Sequence, residues 1–262
     1  MQSSIDIDWW LLALFSLTLA GPFAINRYFG LRLGKDTAIS ILRMTIQLLL
    51  IGLYLEYLFE VNNPWINLVW LVVMIGVGAS AIVGKAKLPK QVLLLPVAIG
   101  LTLGLTPILL VLCGLVIQPV PFYSTQYMIP LAGMLLGNCL SSNIIALQNL
   151  YGALNERKSE YEAAIALAAP IPYATRPFVQ HAMRKAFAPS LASMSTMGLV
   201  TLPGMMTGQI LGGVSPMIAI KYQLIIMIAI FVVMNLSVTI SLQLSLKQAI
   251  TKQGRIVVSC GE

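Results

Sequence analysis

An all-α, polytopic membrane fold is what this sequence predicts, on three observations. Of its 262 residues, 58% are hydrophobic and 10% charged, with mean hydropathy +0.87, far from the balance of a soluble domain. Apolar runs of about 20 residues, enough to cross ~30 Å of hydrocarbon, recur about seven times along the chain. The basic residues gather in every second connection between those runs.

The runs cover residues 9 to 25, 38 to 59, 65 to 84, 91 to 117, 126 to 150, 190 to 213 and 218 to 245. The first follows Asp6 and Asp8 with no Lys or Arg before it, so it reads as a retained span and not as a secretory signal. Arg27, Arg32 and Lys35 follow the first run; Lys85, Lys87 and Lys90 the third; Arg157 and Lys158 the fifth; Lys247, Lys252 and Arg255 the last. The alternate connections hold Glu60, Asn62, Asn63 and Gln118, with Lys221 as their one base. The positive-inside rule then places the amino terminus outside and the carboxyl terminus in the cytoplasm. The whole chain, 1–262, reads as one transmembrane domain.

The net charge of +7 is distributed as loop charge and forms no nucleic-acid patch. Cys113, Cys139 and Cys260 show no CxxC spacing, so neither a zinc site nor a disulfide framework is implied. No G-x-x-x-x-G-K-[ST] loop, HExxH or GxSxG occurs, and the single histidine, His181, makes a catalytic triad improbable. No enzyme and no cofactor of this chain is expected, and its metal ligands are left unassigned.

One connection differs from the rest. Residues 153–190 are long and mixed in charge, with Ala174, Phe178, Ala182, Ala186 and Phe187 at helical spacing against Arg176, Gln180, Arg184 and Lys185. This is a helix with one apolar side. Two readings fit it: a helix lying on anionic lipid, or a docking surface for a partner protein.

Polarity within the spans is neutral and concentrates in the fifth. At ~100° per residue Asn138, Ser142 and Asn149 share a stripe, with Ser141 and Gln148 beside it, while Gly133, Gly137 and Ser141 form a small-residue edge. Such amides serve either as glue between helices or as the lining of a pathway, and their number in one sector favours a pathway. A coupling ion would call for ionisable groups deep in the bilayer, and the acids all lie near span ends or in loops. Arg43 and Gln47 are the deepest strongly polar pair, with Arg43 reading as a side chain that snorkels to the surface.

The sixth run contains "GLVTLPGMMTGQILGG". Gly204, Gly208 and Gly212 repeat at intervals of four and read as a close-packing edge, and Pro203 as a mid-span bend. Met205 and Met206 admit two roles, soft metal ligand or gap-filler. With Thr207 and Gln209 they are candidate substrate contacts.

The runs "MIPLAGMLLGN" and "MRKAFAPSLASMSTMGLVTLPGMMTGQILGGVSPMIAIKYQ" resemble the FetB-type iron-export permeases, ABC-transporter membrane subunits related to the plant aluminium-resistance half-transporters. The resemblance covers almost the whole chain. It implies a homodimeric permease of the bacterial inner membrane, paired with a separate ATPase that carries the ATP and Mg, moving a metal ion outward and aiding resistance to oxidative stress. A sugar nucleotide is the alternative cargo, and an ion-coupled secondary carrier the alternative class. The 153–190 segment then resembles the EAA loop that docks on the ATPase: Glu162, Ala163 and Ala164 match its start. Ala168 stands where that loop usually has glycine, with Pro170 and Pro172 after it, and Arg176, Arg184 and Lys185 are the further coupling candidates.

Overall fold

The computed structural model describes residues 7–251 and 254–257 and is helical throughout its spans. Asp6, Lys252 and Cys260 lie outside the described residues. In chain order the helices are α1 (Trp9–Ser16), α2 (Ala20–Tyr28), α3 (Gly34–Val61), α4 (Pro64–Lys85) and α5 (Lys90–Val111). Then come α6 (Thr125–Glu156), α7 (Lys158–Ala166), α8 (Ile171–Thr196), α9 (Gly204–Leu211) and α10 (Pro216–Ala249). A 3-10 turn, Leu17–Leu19, joins α1 to α2 into one span, and a π-turn, Leu112–Ile117, extends α5. Among the described residues, six helical segments are long and apolar enough to cross a membrane. Helices are what lipid demands, because each buried amide must find its partner within the segment.

The bundle centres on α4, α5, α6 and α10. Its tightest contact joins α5 to α10. A Cβ on Gly100 would meet Ser241 Oγ and lie 2.9 Å from the Ser237 carbonyl; on Gly104 it would lie 3.0 Å from Ser237 N. These glycines let two backbones approach closely, and Ser237, Ser241 and Ser245 form the matching buried stripe on α10. Rising numbers on α5 meet falling numbers on α10, so the two helices are antiparallel.

The helix α6 runs parallel to α10. Asn143 Nδ2 donates to Ser237 Oγ at 2.9 Å, and five to seven residues earlier on each helix Asn138 and Ile230 line one cavity. Two parallel helices consecutive in the membrane require the chain between them to climb the bundle's full height. The chain from Ile171 to Leu211 makes that climb; the expected sixth span, 190–213, covers only its far half, and the climb is not one helix. α8 carries it through Thr196, residues 197–203 leave helical geometry, and α9 completes it. With this discontinuous climb, the six continuous spans make up the seven expected traverses. Pro203 is therefore not a kink within a helix: it is the residue that caps α9, and an isolated bridge from Met197 to Thr201 orders the break before it.

Lys85, Lys90, Arg157, Lys158 and Lys247 collect at one end of the bundle, hereafter the basic end. Gln148 Nε2 donates to the Lys85 carbonyl there at 3.1 Å, and Tyr161 Oη to the Gly254 carbonyl at 2.9 Å. The opposite end is knotted by Asn62, whose left-handed backbone (φ 40°) ends α3 and whose Oδ1 accepts from both Thr125 N (3.0 Å) and Thr125 Oγ1 (3.1 Å). The spans α1–α2 and α3 bury only Leu58 within the chain.

Candidate functional site

α8 is the element that organises the site. Its apolar side packs on α6 and not on lipid: Ala174, Phe178, Ala182 and Ala186 are buried and Phe187 half-buried. Arg176, Gln180, His181, Arg184 and Lys185 are exposed on the other side. Segment 153–190 is thus largely helix, namely the last turn of α6, all of α7 and most of α8.

α7 is pinned beside α8 at the basic end. Tyr161 is buried against Phe178, ring centroids 6.5 Å apart, while the Arg157 guanidinium stacks 4.7 Å above the Phe178 ring. Burial pushes the Tyr161 phenol above its ordinary range, so it stays a donor to Gly254 at neutral pH. Ion pairs Arg157–Glu160 and Lys158–Glu162, each 3.6 Å, run along its exposed face. Ala163 is exposed and Ala164 partly buried.

The helix ends in a Schellman turn, with Ala168 N donating to Ile165 O and Ala169 N to Ala164 O. Ala168 takes the left-handed conformation that turn needs, φ 59°. Glycine is favoured there because it has no Cβ to clash, so alanine holds the same geometry at a cost. Pro170 and Pro172 fit the turn, as N-cap and second residue of α8.

Further along, α8 lines a cavity of about 210 Å³ at mid-bundle with α6 and α10. Asn138, Ser141 and Ser142 face Ser190, Ser193 and Met194 across it. Asn138 Nδ2 donates to its own Met134 carbonyl at 2.8 Å. Asn149 does not line this cavity, and its amide donates to Ile145 O.

A second cavity, about 500 Å³, lies nearer the opposite end between α6, α9 and α10. Met205 and Gln209 line it with Gln126, Tyr127, Met134 and Tyr222. Gln209 Oε1 is buried there without a donor. Met206 and Thr207, expected beside them, do not line it, and Thr207 Oγ1 donates to the Pro203 carbonyl.

The small-residue edges fall differently from expectation. A Cβ placed on Gly137, Gly204 or Gly208 would find nothing within 4 Å, and one on Gly212 would meet only its own helix at the Gly208 carbonyl. Of these edges, only Gly133 meets another helix, at Met74. Within one chain, close packing belongs to Gly100 and Gly104. Helical spacing on α6 and α9 does not single out Asn143, Ser190, Ser193 or Ser237. The four-residue spacing of Ser237, Ser241 and Ser245 against G-x-x-x-G at Gly100 was the legible signal for part of this set.

The sequence pattern of the family described as "Uncharacterised protein family (UPF0014)" matches residues 9–250, all the spans included. The chain belongs to this family. UPF0014 membrane protein slr1647 of Synechocystis is 33% identical over 239 residues, 89% of this chain and 90% of that protein. The Arabidopsis thaliana protein ALUMINUM SENSITIVE 3 is 34% identical over 199 residues, 76% of this chain and 71% of its own. The probable iron export permease protein FetB of Escherichia coli is 28% identical over 249 residues, 95% of this chain and 94% of its own. No solved structure matches. As a UPF0014 protein the chain is a multi-pass membrane protein of a family that includes permeases.

Proposed function

We propose that this UPF0014 protein is the membrane subunit of an ABC exporter, driven by a separate ATPase and moving a metal ion. The observation that carries this reading is the continuity of α8. One helix, Ile171–Thr196, presents the exposed Arg176, Arg184 and Lys185 at the basic end and lines the mid-bundle cavity with Ser190 and Ser193 at the other. A push on the exposed end by a partner tilts or slides the cavity wall directly, and the non-helical 197–203 segment gives α8 room to move without dragging α9.

In this reading the basic end faces the cytoplasm, as the positive-inside rule requires. Glu162, Ala163 and Ala164 with Leu167, whose side chain is 85% exposed, form the docking surface for the ATPase. The cargo passes from Asn138, Ser141, Ser142, Ser190 and Ser193 to Gln209 and Met205. These are neutral oxygen and thioether donors, which hold a cation loosely enough for release. Neither of these cavities, nor the larger one beside α3, is lined by a carboxylate, which argues against an ion-coupled carrier. Iron is the favoured cargo, because the FetB relative is named for iron export. The unoccupied edge of Gly204 and Gly208 is available to a second copy in a permease homodimer.

The test is co-purification with a co-expressed ABC ATPase subunit, then ATP hydrolysis in lipid with iron added. Stimulated hydrolysis that is lost on replacing Arg176 and Arg184 with Glu supports the reading. Hydrolysis indifferent to every metal removes metal export, and failure to bind any ATPase removes the exporter itself.

A further inference from the structure

The largest of these cavities, about 950 Å³, has no part in the path proposed above. It lies between α3 and the pair α4 and α6, and the geometry of the α3–α4 hairpin creates it. At the opposite end the two helices are held together by the Asn62–Thr125–Asn67 knot and by Tyr54 on Trp70, ring centroids 4.6 Å apart. Toward the basic end they part, and among the described residues no side chain fills the gap.

The walls of the gap are sorted by polarity. Leu48, Ile51, Val73 and Val77 line its upper part. Arg43, Lys85, Ser40 and Gln47 line it toward the basic end. Neither Arg43 nor Lys85 pairs with a carboxylate among the described residues, where the ion pairs are Arg157–Glu160 and Lys158–Glu162. From Arg43 to Tyr54 is about 16 Å along α3, at ~1.5 Å per residue. That is close to half of a ~30 Å hydrocarbon layer, the depth of one leaflet.

We infer that this cavity is a binding site for an acidic phospholipid of the leaflet at the basic end. A groove open within a bilayer does not stay empty, because its apolar lining would forfeit its contacts. An acyl chain supplies them along Leu48, Ile51 and Val77. The phosphate meets Arg43 and Lys85, which otherwise stand as uncompensated cations at the membrane surface, and Gln47 is placed to donate to a glycerol ester carbonyl. A zwitterionic lipid carries its own ammonium to that end and gains less. The inference requires only that the chain spans a membrane, so it stands or falls apart from the exporter reading.

The test is native mass spectrometry of the full chain released from nanodiscs holding equal phosphatidylglycerol and phosphatidylcholine with matched acyl chains. The wild type should retain phosphatidylglycerol preferentially, by roughly fivefold for each cation. Arg43→Gln with Lys85→Gln should bring the ratio toward one, Arg43→Lys should keep it, and Val77→Trp should lower retention of both lipids by filling the groove. Soluble glycerol phosphate should not displace the lipid, because it has no chain for the groove. Equal retention by the wild type, or a preference unchanged in the double variant, overturns the site. So does disulfide cross-linking of Gln47→Cys between two copies, which would show a second chain seated there. Unaltered helicity by circular dichroism separates loss of lipid from loss of fold.

Discussion

Asn143 on α6 donates its side-chain amide to Ser237 Oγ on α10 at 2.9 Å, 94 residues away in sequence and with both residues fully buried. The same amide also reaches the Cys139 carbonyl at 2.9 Å. This contact fixes the register of two parallel helices, and so fixes where the chain between them must climb.

Replacing Asn143 with Ala removes that bond and leaves a void, and should cost about 1–2 kcal/mol of stability. Ser237→Ala should cost less, because it deletes a smaller group. Steady-state denaturation of the purified chain in mixed micelles measures both, and the double variant should fall short of the sum of the two.

Gly100→Val and Gly104→Val should be the most damaging glycine substitutions, since each added side chain meets the α10 backbone near Ser237. A loss of about 1–3 kcal/mol or more follows from forced separation of the helices. Gly208→Ala, with nothing within 4 Å, should leave the monomer's melting temperature near the wild type. A drop in dimer fraction by size-exclusion chromatography for that variant would place Gly208 between copies.

Ala168→Gly should stabilise the turn after α7. The left-handed backbone there carries a penalty of roughly 1 kcal/mol for alanine, part of which glycine gives back as unfolded-state entropy. A higher melting temperature measures it, and a lower one would mean that the turn does not hold this geometry in solution.

Tyr161→Phe keeps the ring on Phe178 but loses the bond to the Gly254 carbonyl, at a cost of about 1 kcal/mol. That bond ties α7 to the chain just past α10. On the exporter reading the variant should still bind the ATPase and show weakened coupling of hydrolysis to transport. Unfolding and transport assays on the same preparation distinguish the two effects.

Along the proposed path, Ser190→Ala with Ser193→Ala should reduce transport in vesicles clearly more than Asn149→Ala, which lies outside the cavity. Met205→Leu should be milder than Gln209→Leu, because leucine keeps the volume whereas the second change deletes a buried oxygen that has no other partner. Equal losses at Asn149 and Ser190 would contradict this path.

Hydropathy sufficed to place six spans to within a few residues of their ends, because a helix in lipid must supply both its own hydrogen bonds and an apolar surface. It also drew 190–213 as a seventh helix, since mean apolarity does not register that residues 197–203 turn aside. Helical spacing alone put Asn138, Ser142 and Asn149 on one stripe with Ser141 and Gln148 beside it, and of these Asn138, Ser141 and Ser142 line the mid-bundle cavity whereas Asn149 and Gln148 do not; the apolar side of α8 was legible in the same way. Ser190 and Ser193 were not, because they acquire meaning only when Pro189 is seen to sit inside α8 and to bring them opposite Ser142.

By itself, then, the sequence determined membrane insertion, the approximate number of traverses and the end at which the basic residues gather. These follow from composition along the chain, summed residue by residue against water and lipid. Only the tertiary structure decided which glycines pack, where the climb breaks, and how the polar residues divide between two cavities. Those outcomes depend on which helices become neighbours. G-x-x-x-G at Gly100 and at Gly204 look alike in the chain, and only the first meets a backbone stripe of serines close enough to need the missing Cβ.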